Sequence, residues 1–343
     1  MKNIFHKLNN LQSLSQLESY QLFQSIIAGK ITHIQLISIL KIMSARNETT
    51  DEIIGAIYAC LENTNHFPRP NYLFSDIVGT GGDINNTINI STASAFVAAE
   101  CGLKIVKHCN KGISSKSGSS DLLKKFNINL NASPERSRQS LDEFNICFLF
   151  AQKYNNGFKN SINARKMIKN KTIFNLLGPF LNPAIPPFIV LGVYHKKWIY
   201  PFAKILSNLN YQRGIVLHGN QTDEVTLHGI TYVTEWHNKK IFSYQLKPED
   251  FGIKTHLIKK YQEHSPEENH FIIKKIMQGN GDSLYEELIA VNVAMLLKIF
   301  GNEDLKKNVQ FALKKIRSGA VYHRIMNVSH ILKEDHYERH NTK

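Results

Sequence analysis

Long apolar runs are missing from this sequence: no uncharged stretch approaches the ~18 residues that a membrane span needs. The start, MKNIFHKLNNLQSLSQ, has no apolar signal-peptide core, so the cytoplasm is the expected compartment and no membrane partner is expected. Cysteine is scarce. Cys60, Cys101, Cys109 and Cys147 lack the paired spacing of zinc or redox motifs and read as free thiols. Arginine is scarcer than the charge suggests, with 9 Arg against 33 Lys behind a formal charge of +14. The lysine pairs are scattered along the chain, at 124, 196, 239, 259, 274, 306 and 314, rather than gathered in a stripe. A solvated basic surface is therefore expected in place of a nucleic-acid face. There is no nucleophile elbow, no pair of catalytic carboxylates and no metal-ligand histidine spacing. Those gaps exclude most covalent and zinc-based chemistry and leave electrostatic stabilisation.

What is present is ordinary soluble-protein material, 42% hydrophobic and 20% charged over 343 residues. The length suits two domains, or one large domain with a satellite. Up to residue 65 the texture is helical, with three capping-box patterns: Ser15 with Glu18, Thr32 with Gln35, and Thr49 with Glu52. HFPRPNY, residues 66–72, then breaks the helical period and marks a link or hinge. Beyond it, FSDIVG, LKIVKH, ICFLFA, FIVLGVY and GIVLHG read as strands. STASAFVAAECG and SPERSRQSLDEF read as helices, the latter with Ser133 as N-cap and Pro134 at the first helical position. YVTEWHNKKIFSYQL resembles a hairpin, LLGPFLNPAIPPF suits a second crossing between domains, and the tail from Leu284 is helical again. The expected fold is α/β: a small helical N-terminal domain, and a larger domain with a mainly parallel sheet wrapped by helices. Ligands bind such sheets beyond the carboxyl ends of the strands.

The polar motifs fall at those ends. DIVGTGGD runs a strand into Gly79, Gly81 and Gly82, then Asp83. Backbone this bare can form an anion-binding nest, or simply a tight turn. It is no dinucleotide fingerprint, because Ile84 fills the sixth-position glycine, and no P-loop, because Gly-Lys-Ser/Thr is absent. NIST, Asn89 to Thr92, opens the helix ASAFVAAEC, where free N–H groups and hydroxyls suit phosphate. Ordinary capping would need only one of those four residues. KHCNKGISSKSGSSDLL adds Lys107, Lys111 and Lys116 among serines and glycines straight after a strand. HGNQTDEV supplies adjacent carboxylates, Asp223 and Glu224, which are plain solvated acids or, near a polyphosphate, holders of Mg²⁺.

Taken in order, DIVGTGGD, NISTASAFVAA, KHCNKGISSKSGSSDLL, TIFNLLGPFLNP and the acids of HGNQTDEV resemble the anthranilate phosphoribosyltransferases of tryptophan biosynthesis, over essentially the whole chain. The resemblance implies a helical domain over 1–70, joined in space by part of 165–187, and a phosphoribosyl-diphosphate-binding α/β domain over 71–343. It implies a homodimer, Mg²⁺ as cofactor, and transfer of a phosphoribosyl group from 5-phosphoribosyl 1-diphosphate to the amine of anthranilate. Residue by residue, it implies phosphoribosyl contacts from Gly79, Gly82, Asp83 and Thr87, and from Asn89, Ile90, Ser91 and Thr92. It extends them over the second loop, Lys107, His108, Cys109, Asn110, Lys111, Gly112, Ile113, Ser114 and Ser115, with Ser119. It implies magnesium contacts from Ser91, Asp223 and Glu224, and anthranilate contacts from Gly79, Asn110 and Arg165. Arg165 would pair with the anthranilate carboxylate.

Some positions depart from the family pattern. The second loop there usually reads Lys-His-Gly-Asn-Arg-Ser, so Cys109, Lys111 and Gly112 are changed here. Cys109 is expected to be strained if the glycine it replaces has positive φ. Asn155 stands where a histidine is common, and Lys171 where an arginine is common. Weaker binding or slower turnover is the expectation, not loss of activity. A pyrimidine-nucleoside phosphorylase would carry Lys-His-Ser-Thr-Gly-Gly where this chain has KHCN. A nucleic-acid-binding relative would have no need of the Asp223–Glu224 pair. A third alternative is a decayed enzyme, folded but slow.

Overall fold

The computed structural model describes residues 1–81, 88–111, 118–168, 171–256 and 264–333. Four helices open the chain: α1 (Lys2–Asn9), α2 (Gln16–Ile27), α3 (His33–Arg46) and α4 (Thr50–Glu62). All three expected capping boxes form, at Ser15, Thr32 and Thr49. The Thr49 box does more than start a helix. Glu52 is fully buried and accepts from Leu14 N at 2.9 Å, Thr49 N at 2.9 Å and Arg46 Nη1 at 3.0 Å. One carboxylate thus ties together the α1–α2 loop, the end of α3 and the start of α4, with its charge paired as burial demands. Helices α2 and α4 touch at Gly55, where an added Cβ would lie 2.2 Å from the Gln16 carbonyl oxygen.

The remainder alternates strand and helix. Its strands are β1 (Ser75–Gly79), β2 (Ile105–Cys109), β3 (Ile146–Phe150), β4 (Phe188–Gly192), β5 (Arg213–His218), β6 (Thr231–His237) and β7 (Lys240–Leu246). They form one sheet in the order β3-β2-β1-β4-β5-β6-β7, parallel through β5 and antiparallel from β5 to β7. The β6–β7 turn places Asn238 and Lys239 at φ 51° and 61°, the signature of a two-residue type I′ hairpin. Helices α5 (Ile90–Glu100), α6 (Ser119–Lys125) and α7 (Pro134–Phe144) link the first three strands. Short helices α8 (Ala151–Tyr154), α9 (Ile162–Met167) and α10 (Ile173–Leu177) lead to β4, and α11 (Ile199–Asn208) leads to β5. The chain finishes on α12 (Pro266–Met277), α13 (Ser283–Ile299), α14 (Leu305–Arg317) and α15 (Ala320–Ile331).

Alternation along each strand divides the core between the two faces of the sheet. Ile77, Ile105, Cys109, Phe148, Val190 and Ile215 join α5, α13, α14 and α15 on one face. Ile189, Leu191, Val193 and Val216 face the other way and share a core with α1–α4, α10 and α11. Val106, Cys147 and Leu149 form a smaller cluster on that second face with Phe67, Phe74 and Tyr154. Among the described residues, no helix is long and apolar enough to cross a membrane.

Candidate active site

Strand order reverses at β1, with β2 on one side and β4 on the other, and the crevice at such a switch is where α/β sheets bind ligands. At its carboxyl end β1 meets the acidic loop after β5. Asp223 is buried, and its Oδ2 accepts from Gly81 N at 2.8 Å. A Cβ on Gly79 would lie 2.2 Å from that Oδ2, and one on Gly192, at the end of β4, 1.5 Å from the Asp223 carbonyl oxygen. The bare backbone at Gly79 therefore admits a carboxylate of the chain's own. Burial pushes the Asp223 carboxyl up from its ordinary range, and the Gly81 N–H opposes this. Beyond the partly buried Glu224, Val225 N donates to Asn292 Oδ1 of α13 at 3.0 Å, which pins the loop from behind.

Helix α5 begins beside these residues without a side-chain cap from Asn89. Asn89 instead donates its backbone N–H to Asn269 Oδ1 of α12 at 3.1 Å, and the two side chains bond to each other. Thr92 is fully buried and its Oγ1 has no hydrogen-bond partner among the described residues. Ser91 is met from below by Lys107, whose Nζ donates to Ser91 Oγ at 3.3 Å and to the Ile77 carbonyl at 2.5 Å. Lys107 is 2% exposed, and burial lowers the ammonium's pKa against the upward pull of Asp76, Glu224 and Asp223. A cation, hydroxyls and a helix amino end thus converge, the arrangement that stabilises anionic oxygen.

On the neighbouring strand, His108 is buried and held down to a pKa of about 4, chiefly by desolvation, so its ring is neutral. Asn155 Nδ2 lies 3.1 Å from His108 Nε2 and 3.3 Å from the Leu181 carbonyl. Asn110 and Ser119 bond reciprocally, Asn110 N to Ser119 Oγ at 3.2 Å and Ser119 Oγ to the Asn110 carbonyl at 3.1 Å. That closes the exit of β2 onto the start of α6. Lys111 N donates to Asn110 Oδ1 at 2.8 Å. Arg165 lies half-buried on α9 with its guanidinium carbon 5.2 Å from the Phe174 ring centroid. Lys171 Nζ sits 3.2 Å over the Tyr194 ring.

Of the expected site residues, Gly79 with Asp223, Lys107 with Ser91, and Asn110 with Ser119 come together in pairs. Gly82, Asp83, Thr87, Gly112, Ile113, Ser114 and Ser115 lie outside the described residues. One expectation needs revision. Cys109 is not strained: it ends β2 in ordinary strand conformation, outside the positive-φ positions of the chain. Its side chain is buried in the α5-side core with Sγ 3.6 Å from the Leu149 carbonyl. Three residues went unnoticed in the sequence: Asp76, Asn182 and Asn269. Asn269 carries a visible signal, since Ser265, Pro266 and Glu268 form a capping box that opens α12. Asp76 and Asn182 carry none, being one letter of a strand and one of a proline-rich passage.

This geometry has close counterparts. Residues 2–64 match the helical bundle domain of a glycosyl transferase family, and residues 71–322 its a/b domain. Anthranilate phosphoribosyltransferase of Buchnera aphidicola subsp. Schizaphis graminum is 64% identical over 335 residues, covering 98% of this chain and all of that one. The crystal structure of anthranilate phosphoribosyltransferase (TrpD) from Thermus thermophilus superposes with a TM-score of 0.90 at 30% identity, over 96% of this chain and 99% of that one. The Saccharomyces cerevisiae enzyme in complex with PRPP and Mg gives 0.85 at 26% identity, over 96% and 98%. The chain belongs to this glycosyl transferase family and, within it, to the anthranilate phosphoribosyltransferases.

Proposed function

We propose that the chain transfers the 5-phosphoribosyl group of 5-phosphoribosyl 1-diphosphate to the amine of anthranilate, giving N-(5-phosphoribosyl)anthranilate and pyrophosphate, as a cytoplasmic enzyme of tryptophan biosynthesis. The observation that carries the reading is the buried Lys107 ammonium beneath Ser91 at the amino end of α5, beside the Asp223 loop. In the reaction the sugar C1–O bond breaks and pyrophosphate leaves with the electron pair. The anthranilate nitrogen forms the new C1–N bond and sheds a proton. Lys107, the α5 N–H groups and the hydroxyls of Ser91 and Thr92 would stabilise charge growing on the departing oxygens. An aromatic amine is unprotonated near neutral pH, so no strong base is needed, which agrees with a neutral His108. Arg165 would hold the anthranilate carboxylate in line, with Gly79 and Asn110 at its other end.

Mg²⁺ is part of the proposal. Hard oxygen donors from Asp223, Glu224 and Ser91 suit an ion that takes one or two carboxylates and fills its remaining positions with water and phosphate. The described residues hold no cluster of three or more His, Cys, Asp or Glu groups able to bind a metal, a requirement Mg²⁺ does not impose. When bound, the ion would offset the charge of the diphosphate. We also propose a homodimer formed through the helical domain, where Leu17 and Ile34 are 64% and 77% exposed, and a division of the chain into 1–70 and 71–343.

Loss of anthranilate fluorescence on mixing with 5-phosphoribosyl 1-diphosphate and Mg²⁺ tests the reaction. Loss that requires the metal is expected. Arg165→Ala should lower kcat/KM for anthranilate at least about a hundredfold, the scale of a charge-assisted bidentate contact. Fluorescence that stays constant under every condition would sink the reading.

A further inference from the structure

Strands β1 and β2 run side by side into the site yet are joined as a ladder at one place. Ser75 is in register with Ile105, whereas β1–β4 and β2–β3 are each paired over five residues. Beyond that pair, backbone groups along the gap are met by side chains. The Val106 carbonyl accepts from Asn182 Nδ2 at 2.8 Å, and the Ile77 carbonyl from Lys107 Nζ at 2.5 Å. The His108 N–H donates to Asp76 Oδ2 at 3.3 Å. Asn182 Nδ2 also donates to Asp76 Oδ2 at 2.8 Å, and Asn182 Oδ1 accepts from Ala184 N at 3.0 Å.

A continued ladder would keep the strands at ~4.8 Å and satisfy their backbone groups without help. Burying a carboxylate and an amide in its place is costly. Asp76 is 0% exposed and Asn182 1%, and Asp76 Oδ1 has no hydrogen-bond partner among the described residues. What the opening provides is access: the Lys107 ammonium enters between the strands from one face and reaches Ser91. His108 projects from the opposite face, as alternation along β2 requires.

We propose that Asp76 and Asn182 are positioning residues of the site, holding the carboxyl ends of β1 and β2 open so that Lys107 faces the diphosphate at α5 and His108 faces the acceptor. The inference deepens the proposed function and rests on it. Neither residue touches substrate; both act through Lys107 and His108.

The test compares full-length D76A, D76N and N182A with V309A, a core truncation on α14 with no side-chain hydrogen bond to lose. Thermal unfolding, calorimetric titration with magnesium 5-phosphoribosyl 1-diphosphate, and steady-state kinetics are measured on each. D76A and N182A should raise Kd and KM for the diphosphate about tenfold or more, the scale of lost hydrogen bonds to charged groups. D76N keeps an oxygen that can accept from Asn182 and His108, and should stay within about threefold of the unmodified chain. V309A should lower the melting temperature and leave both constants unchanged. D76A and N182A binding like the unmodified chain would overturn the proposal, as would equal losses in V309A. D76N as impaired as D76A would overturn it too, since charge and not arrangement would then be responsible. Should D76A fail to fold, N182A against V309A carries the test. An unmodified chain that binds the diphosphate without consuming anthranilate defeats the assigned acceptor and leaves this comparison readable through Kd. One that binds none overturns both.

Discussion

Asp76 shows how one buried group sets a pH dependence. Desolvation raises its carboxyl from the ordinary range to about 6, against the pull of Lys107 and the hydrogen bonds from Asn182 and His108. The native state therefore holds this proton more tightly than the unfolded chain, and stability falls as pH rises from about 4 to 6. His108 works the other way: burial lowers it to about 4, the unfolded chain takes its proton first, and stability rises over much of the same window. In the intact protein the two slopes oppose each other. D76N, which resembles the protonated carboxyl, removes one of them. Its stability relative to the unmodified chain should improve by roughly 2 kcal/mol between pH 4 and pH 8 in denaturant unfolding, most of it below pH 7. A difference that stays flat across that range would mean the carboxylate is not desolvated. None of this was legible in the sequence, where Asp76 is the first letter of DIVG and Asn182, its main hydrogen-bond partner, lies 106 positions on.

The helices and strands themselves were largely legible, for local reasons. Ser15, Thr32, Thr49 and Ser133 each start a helix by accepting a backbone N–H three residues on, a relation contained in four letters. The parallel strands were recoverable from short apolar runs between helical segments. How the elements meet was not, because that depends on distances between remote backbones. Gly55 is an example: inside the run TDEIIGAIYACLE it looks like an ordinary weak spot in a helix, yet it is the place where α4 lies against α2. Gly55→Ala improves helix propensity by about 1 kcal/mol. It should nevertheless destabilise the protein by roughly 2–3 kcal/mol, because the new methyl meets the Gln16 carbonyl. A rise in denaturation midpoint would show that the helices separate freely. The candidate site divides the same way: its glycine- and hydroxyl-rich motifs follow strands and could be read, while the side chains proposed to space β1 from β2 could not.

At the scale of the whole molecule, the helical domain does not keep its core to itself. Leu22, Phe23, Leu40 and Ile57 share one apolar cluster with Ile173, Leu177, Ile189, Leu191, Phe202 and Val216, contributed by α10, β4, α11 and β5. A chain ending at residue 65 would expose that surface. It should remain largely unfolded by circular dichroism, and the full chain should unfold in a single transition. Two separated transitions, or a folded fragment, would contradict this. A different consequence follows from the contact among Gly79, Gly192 and Asp223. Lysines scattered over a solvated surface can each change one side chain at a time. These three positions admit no such stepwise history. A methyl at Gly79 collides with the carboxylate and one at Gly192 with the Asp223 backbone; shortening Asp223 would relieve only the first, and would remove the acid. However far descendants of this sequence diverge elsewhere, the three should be inherited as a block.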